Sequence, residues 1–292
     1  MAKRSGIQLA YPFEERRLLN QGRFDYTWSA PWIVQPKLNG ERCRMLVKDG
    51  RCLLLSSSEE IISSVSHINK EGLLFPPGEY DGELYVHGWT FSEIHSVVSR
   101  EVSIHPQSGE MQLWLFDIVD EKGPECSQLY RLQRLNNILT INHSKMYYIR
   151  QVPKVVIHTL EELYSTYDKF ISQGYEGFII RDIVAHYIRR RSAAMMKFKP
   201  KATDSYLIRG VYEAISENGH PKELVGGFNC IDSEGTKFSV GAGKLTHDER
   251  RRLWQLWLDD PKWFFTKQLE IEYQTMSDKA RVPLFSRALR II

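Results

Sequence analysis

The chain has no Cys-x-x-Cys pair, and none of its four cysteines, Cys43, Cys52, Cys126 and Cys230, stands at metal-ligand spacing from the nine histidines. That excludes zinc-ribbon and zinc-finger organisation and leaves free thiols in a reducing compartment as the expectation. No apolar run approaches the length needed to span a bilayer. The stretch Met1 to Ala10 carries charge but lacks the apolar core of a secretory signal. Neither His-Glu-x-x-His nor Gly-x-Ser-x-Gly occurs, so zinc proteases and serine hydrolases lack support. Gly241-Ala242-Gly243-Lys244 falls short of a phosphate loop, which requires glycine where Phe238 stands and a hydroxyl where Leu245 stands, and it reads as a β-turn. No internal repeat, coiled coil or low-complexity tract is present. The expectation is a cytoplasmic protein with no membrane attachment.

An excess of one charge sign is also lacking. Thirty-nine basic residues face thirty-six acidic ones, a formal charge of +3, which permits a local basic face without demanding one. Apolar residues at 42% and charged residues at 26% are ordinary for a globular protein. A length of 292 residues allows one large domain or two.

Taken in order, the chain alternates short strands and helices. Glu14 to Leu19 fits a short helix, and Trp32 to Leu55 is rich in β-formers with turns between. Ile61 to Gly72 is helical or irregular. Pro76-Pro77-Gly78 breaks the chain before a strand over Glu79 to Gly88. Phe91 to Arg100 fits a helix capped by Thr90 or Ser92. Met111 to Val119 is nearly all apolar and reads as a buried strand, followed by a helix over Leu129 to Leu139. A β-branched run over Val152 to His158, a helix over Leu160 to Gln173 and a strand over Tyr175 to Arg181 lead to Met195–Pro200. After a boundary between residues 203 and 204, closely spaced strands with glycine turns and one helix, His247 to Leu258, suggest a small β-barrel of roughly ninety residues, the scale of an OB-fold.

The stretch that organises the rest is Pro36-Lys37-Leu38-Asn39-Gly40-Glu41-Arg42, set between the apolar runs Trp32-Ile33-Val34 and Met45-Leu46-Val47. It reads as strand, tight turn, strand, with Gly40 supplying backbone freedom. A lysine there is either surface decoration or a nucleophile. A free lysine has a pKa of about 10.4, so on the order of one in a few thousand is neutral at pH 7, and a nucleophile needs cationic neighbours or desolvation. Lys197 and Lys199 alternate along one strand and either face solvent or approach a phosphate. Glu83 and Glu176 lie on otherwise apolar strands, as turn residues or as ligands of a divalent ion that keeps several waters. Phe116 serves core packing or offers a ring to a nucleobase.

Read together, these segments resemble the nucleotidyltransferase motifs of ATP-dependent DNA ligases, in the style of a minimal viral or phage member. Lys37-Leu38-Asn39-Gly40-Glu41-Arg42 is similar to motif I, Tyr80-Asp81-Gly82-Glu83-Leu84 to motif III and Leu115-Phe116-Asp117 to motif IIIa. Glu176-Gly177-Phe178-Ile179-Ile180-Arg181 resembles motif IV and Lys197-Phe198-Lys199-Pro200 motif V. The resemblance implies an α+β nucleotidyltransferase domain, ATP-grasp-like, over residues 1–203 and an OB-fold over 204–292, joined by a hinge near Asp204 and clamping around nicked duplex DNA as a monomer.

It further implies that Lys37 takes AMP from ATP and that Gln35 meets the adenine edge. Arg42 and Glu83 would hold the ribose, with Pro36 beside them in the nucleotide-binding set. Phe116 would stack on the base, and Lys197 and Lys199 would neutralise phosphate charge. Glu83 and Glu176 would hold Mg²⁺, with Mn²⁺ as an alternative. Arg189, Arg190 and Arg191 form either a DNA-facing surface or a solvated run.

Three departures from the family pattern stand out. Asn39 replaces the usual motif I aspartate, keeping an acceptor carbonyl but no charge. Leu55-Ser56-Ser57-Ser58 lacks the motif Ia arginine. Arg281 to Arg290 resembles motif VI only loosely, with Arg287 or Arg290 as its pyrophosphate-facing residue. The rival readings are an RNA ligase, an RNA-capping guanylyltransferase and a catalytically silent nick-binding protein.

Overall fold

The computed structural model describes residues 6–100, 102–120, 126–277, 281–284 and 286–292. Residues 1–5 of the stretch read for a leader, and Phe285 within the motif VI segment, lie outside the described residues. Two compact units divide the chain, the first ending at Lys199 and the second beginning at Pro200.

The first unit opens with β1 (Leu9–Pro12) and the short α1 (Glu15–Leu18). Then come β2 (Trp32–Lys37), β3 (Glu41–Lys48), β4 (Arg51–Leu55), α2 (Ser66–Gly72) and β5 (Gly78–Tyr85). Helix α3 (Phe91–Val98) begins at a capping box in which Thr90 and Glu93 satisfy each other's backbone N–H groups. Strand β6 (Gln112–Ile118) precedes α4 (Gln128–Ile141), β7 (Ile149–Gln151) and β8 (Val155–Ile157). The unit closes with α5 (Leu160–Ser172), β9 (Gly177–Asp182) and β10 (Arg191–Phe198).

These strands form two five-stranded sheets, in the orders β1-β10-β9-β2-β8 and β4-β3-β5-β6-β7. One core lies on the second sheet, where Met45, Leu54, Leu84, Leu113 and Leu115 meet Ile68 of α2, Ile94 of α3 and Leu135 of α4. The other lies on the first sheet, where Val34, Phe178, Ile180 and Met196 meet Leu163 and Phe170 of α5. Strand β2 belongs to the first sheet and β3 to the second, so the turn at Leu38–Gly40 carries the chain from one to the other. Lys37 is the last residue before that crossing.

The second unit contains β11 (Ala202–Ile215), β12 (Pro221–Ile231), β13 (Lys237–Gly241), α6 (His247–Asp259), α7 (Pro261–Phe264) and β14 (Gln268–Tyr273). The short pair β15 (Thr275–Met276) and β16 (Pro283–Leu284) is followed by β17 (Arg287–Ile291). Strands β11, β12, β13, β17 and β14 close into a barrel. The expected boundary after residue 203 is thereby corrected: Ala202 and Thr203 already pair with Tyr273 and Glu272, so they belong to the barrel. Of the stretch compared with motif VI, Pro283 and Leu284 pair with β15, and the residues from Arg287 onward lie in the barrel strand β17, which the sequence reading did not anticipate.

Glu272, on β14, is 8% exposed and receives Lys201 Nζ at 2.9 Å and Lys244 Nζ at 3.2 Å. Burial pushes its carboxyl up, but the two ammonium groups outweigh burial and hold it below the ordinary 4.5. A lowered folded pKa contributes stability that is complete above the unfolded value and lost as pH falls through the folded one. The barrel is therefore expected to lose this contribution as pH drops below 4.5. Calorimetry of Glu272→Gln should show that component gone and the barrel transition at pH 7 lowered by about 5 °C.

All four cysteines are free thiols, and all four are buried. Among the described residues no helix is long and apolar enough to cross a membrane.

Candidate active site

Two close approaches shape the turn. A Cβ on Gly40 would lie 2.2 Å from the Leu84 carbonyl oxygen, and Gly40 does not take a positive φ, so space rather than backbone freedom requires glycine there. Gly177 pairs in register with Lys37 and adopts φ +155°, and a Cβ there would lie 2.1 Å from the Phe198 carbonyl oxygen. These contacts draw the ends of β2, β5, β9 and β10 together.

The convergence encloses a cavity of about 260 Å³. Gln35, Pro36, Lys37, Arg42, Glu83, Phe116 and Lys197 line it, together with Ile7, Phe91, Ile179, Arg181 and Met195. Glu176 and Lys199 are not among the lining residues but are joined to it through Lys37. One Glu176 oxygen contacts Lys37 Nζ and the other contacts Lys199 Nζ. Strand β10 ends at Phe198, so Lys199 leaves the strand and bonds Glu176, whereas Lys197 faces the cavity. The shared strand face read from the alternation is corrected to that extent.

Arg42 sits opposite Glu83 in the β3–β5 register. Its Nε donates to Asp81 Oδ1 at 2.7 Å and its Nη2 to Asp81 Oδ2 at 2.5 Å. Glu83 Oε1 accepts the Gly40 N–H at 2.8 Å. Burial pushes the Glu83 carboxyl above its usual range, against the pull of Lys37 and the Gly40 N–H. Phe116 lies on the cavity wall with the Arg42 guanidinium carbon 4.6 Å from its ring centroid and that of Arg181 5.4 Å away.

Behind this wall lies a polar network that no single motif suggested. Asp117, fully buried, accepts from Arg131 Nε at 2.7 Å, from Arg131 Nη2 at 3.1 Å and from Arg181 Nη1 at 3.3 Å. Arg181 Nε donates to Gln35 Oε1 at 2.9 Å, which fixes the amide orientation because a guanidinium has no acceptor. Burial lowers the Arg181 pKa, with Asp117 and Asp81 opposing. Arg131 also reaches the carbonyl oxygens of Cys126 and Ala185, anchoring α4 to this floor. Arg181 ends the segment compared with motif IV, but nothing in that segment pointed to its partners Gln35 and Asp117.

Other expected residues fall elsewhere. Arg189 pairs with Glu79, and Arg191 donates to the Ala10 carbonyl oxygen at 2.5 Å, so the basic run is partly tied into the fold while Arg190 is exposed. The Asn39 side chain makes no hydrogen bond among the described residues. Ser57 lines the cavity where the motif Ia arginine was missed, and the arginines among the lining residues are Arg42 and Arg181. Arg290 is held by Glu270 at 2.6 Å, and Arg287 is exposed. Among the described residues no group of three or more histidines, cysteines or carboxylates is placed to hold a metal ion by itself. Of the two carboxylates expected at a divalent ion, Glu83 lines the cavity and Glu176 is held by Lys37 and Lys199.

The chain is 27% identical over 269 residues to a DNA ligase of African swine fever virus, an alignment covering 88% of this chain and 62% of the viral protein. It thus spans less than two thirds of the length of those viral relatives. A DNA ligase of Haemophilus influenzae is 25% identical over 213 residues, covering 73% of this chain and 72% of that one. Among solved structures, one from a structure-function analysis of Lig E DNA ligases aligns with a TM-score of 0.77 at 20% identity, covering 98% of this chain and 99% of that one, and so shares its fold. The model of the ATP-dependent DNA ligase domain matches residues 22–199, which are more than half of the chain and include every cavity-lining residue from Gln35 to Lys197. On that match the chain belongs to the ATP-dependent DNA ligase domain family.

Proposed function

We propose that the chain seals 3′-hydroxyl/5′-phosphate nicks in duplex DNA by ATP-driven adenylyl transfer, working as a monomer. The observation that carries this reading is the meeting of Lys37 with Gln35, Arg42, Glu83, Phe116 and Lys197 in one cavity. Lys37 Nζ attacks the α-phosphorus of ATP, the bond to pyrophosphate breaks, and lysyl-AMP forms. The proton that Lys37 must lose has an acceptor already in contact, Glu176, whose other oxygen is held by Lys199. Gln35 and Phe116 address the base, Arg42 and Glu83 the sugar, and Lys197 the phosphate charge. AMP then passes to the 5′-phosphate at the nick, and the 3′-hydroxyl displaces it. Positioning and charge stabilisation supply the catalysis.

Glu83 and Glu176 would hold Mg²⁺, or Mn²⁺ in its place, and the ion would offset negative charge on the phosphates. DNA affinity that rests on phosphate contacts is sequence-independent and falls with salt.

The test is a nicked duplex with deoxyribose or ribose on the 3′ side, incubated with ATP or GTP and resolved on a denaturing gel. Sealing of the deoxyribose nick with ATP and not GTP is expected. Labelling by GTP would point instead to capping, and sealing confined to ribose ends to an RNA ligase. Nick binding with no sealing and no label would leave the silent binder.

A further inference from the structure

We propose that Tyr187 is a positioning residue that aims Arg42 into the nucleotide cavity, an inference that rests on the function proposed above. Tyr187 belongs to none of the motif segments, and its ring is 1% exposed. Its hydroxyl donates to Asp81 Oδ2 at 2.6 Å and accepts the Gln8 N–H at 3.0 Å. Asp81, also 1% exposed, takes Arg42 Nε and Nη2 on its two oxygens. Arg42 Nη2 then donates to the Gln8 carbonyl oxygen at 3.1 Å, which closes a ring of hydrogen bonds through Tyr187, Asp81, Arg42 and Gln8.

The direction of each bond in this ring is fixed. A carboxylate only accepts and a guanidinium only donates, so the Tyr187 proton must point at Asp81 and its lone pair at the Gln8 N–H. The ring occupies Nε and Nη2 of Arg42, and among the described residues Nη1 has no partner. Because the guanidinium is planar and rigid, holding two of its nitrogens sets the direction of the third. Arg42 lines the cavity, and its side chain is 22% exposed. The ring therefore presents one pair of N–H donors to an acceptor oxygen of the nucleoside triphosphate. Phenylalanine at 187 would fill the same volume while leaving the Gln8 N–H without an acceptor and Asp81 braced by Arg42 alone, so that carboxylate and fork can shift together.

The test is the rate of self-adenylation against ATP concentration, read by mass, for the wild-type chain, Tyr187→Phe, Arg42→Lys and the double variant. Loss of one charge-assisted bond that orients a ligand-binding fork is expected to raise the half-saturating ATP concentration about tenfold, with the saturated rate within about twofold. In the Arg42→Lys background, which has no fork to aim, the same change is expected to matter less than about twofold. If Tyr187→Phe yields no folded protein, Asp81→Asn loosens the fork from the other partner and should give the same displacement. An unchanged half-saturation, or the same tenfold effect without the Arg42 fork, overturns the proposal. A wild-type chain that takes no AMP at all overturns the function proposed above, and this inference with it.

Discussion

Lys37→Ala is expected to take up no AMP from ATP and to seal nicks at least about a thousandfold more slowly than the wild-type chain. The same variant should still seal a nick whose 5′-phosphate already carries AMP, because in the proposed reaction Lys37 serves only the first of three steps. The geometry makes this separation sharp. Lys37 ends β2 at the crossing between the two sheets, and its Nζ meets Glu176 while the rest of the cavity is built by other strands. Removing the amine leaves Gln35, Arg42, Phe116 and Lys197 in place to bind AMP. Denaturing gels with plain and pre-adenylated nicks measure both halves. Adenylation persisting in the variant would move the nucleophile to another lysine.

The second large effect concerns folding. Asp117→Ala is expected to destabilise the first unit by about 3–5 kcal/mol, because it leaves Arg131 and Arg181 as buried cations facing each other without their shared carboxylate. Against a typical total of about 5–15 kcal/mol, that is a large fraction. Replacing Arg131 as well, Asp117→Leu with Arg131→Met, should be milder than the single change, since one buried cation rather than two then lacks the carboxylate, and Arg181 keeps its bonds to Gln35 and Gln128. Urea unfolding reads all three proteins. A single-variant loss under about 1 kcal/mol would mean that the network carries little of the fold.

Much of this architecture was legible in the sequence because the elements follow simple periods. The apolar run Met111 to Val119 became β6, Thr90 capped α3 through Glu93, and the glycine-punctuated C-terminal strands closed a barrel. Residues from the five motif segments, distant in sequence, lie together at Lys37, with Glu176 and Lys199 attached through the lysine rather than lining the cavity. What could not be read was the partnering of charges that depends on where strands end. Lys199 bonds Glu176 because β10 stops one residue earlier, and Arg191 turns back to β1 because the two strands run parallel. Tyr187 and Gln8 carry no sequence signal, since they meet across 179 residues. Arg287 to Ile291 was not singled out as a strand, because only Ala288 of its five residues is buried and no apolar alternation marks it, although it pairs with β13 and β14.

The measurement that tests the central claim most directly is the intact mass of the chain after incubation with ATP and a divalent cation, in protein first stripped of any AMP already attached. A gain equal to one AMP, mapped by peptide fragmentation to Lys37, is the result predicted here. No gain, or a gain mapped to another residue, would contradict it.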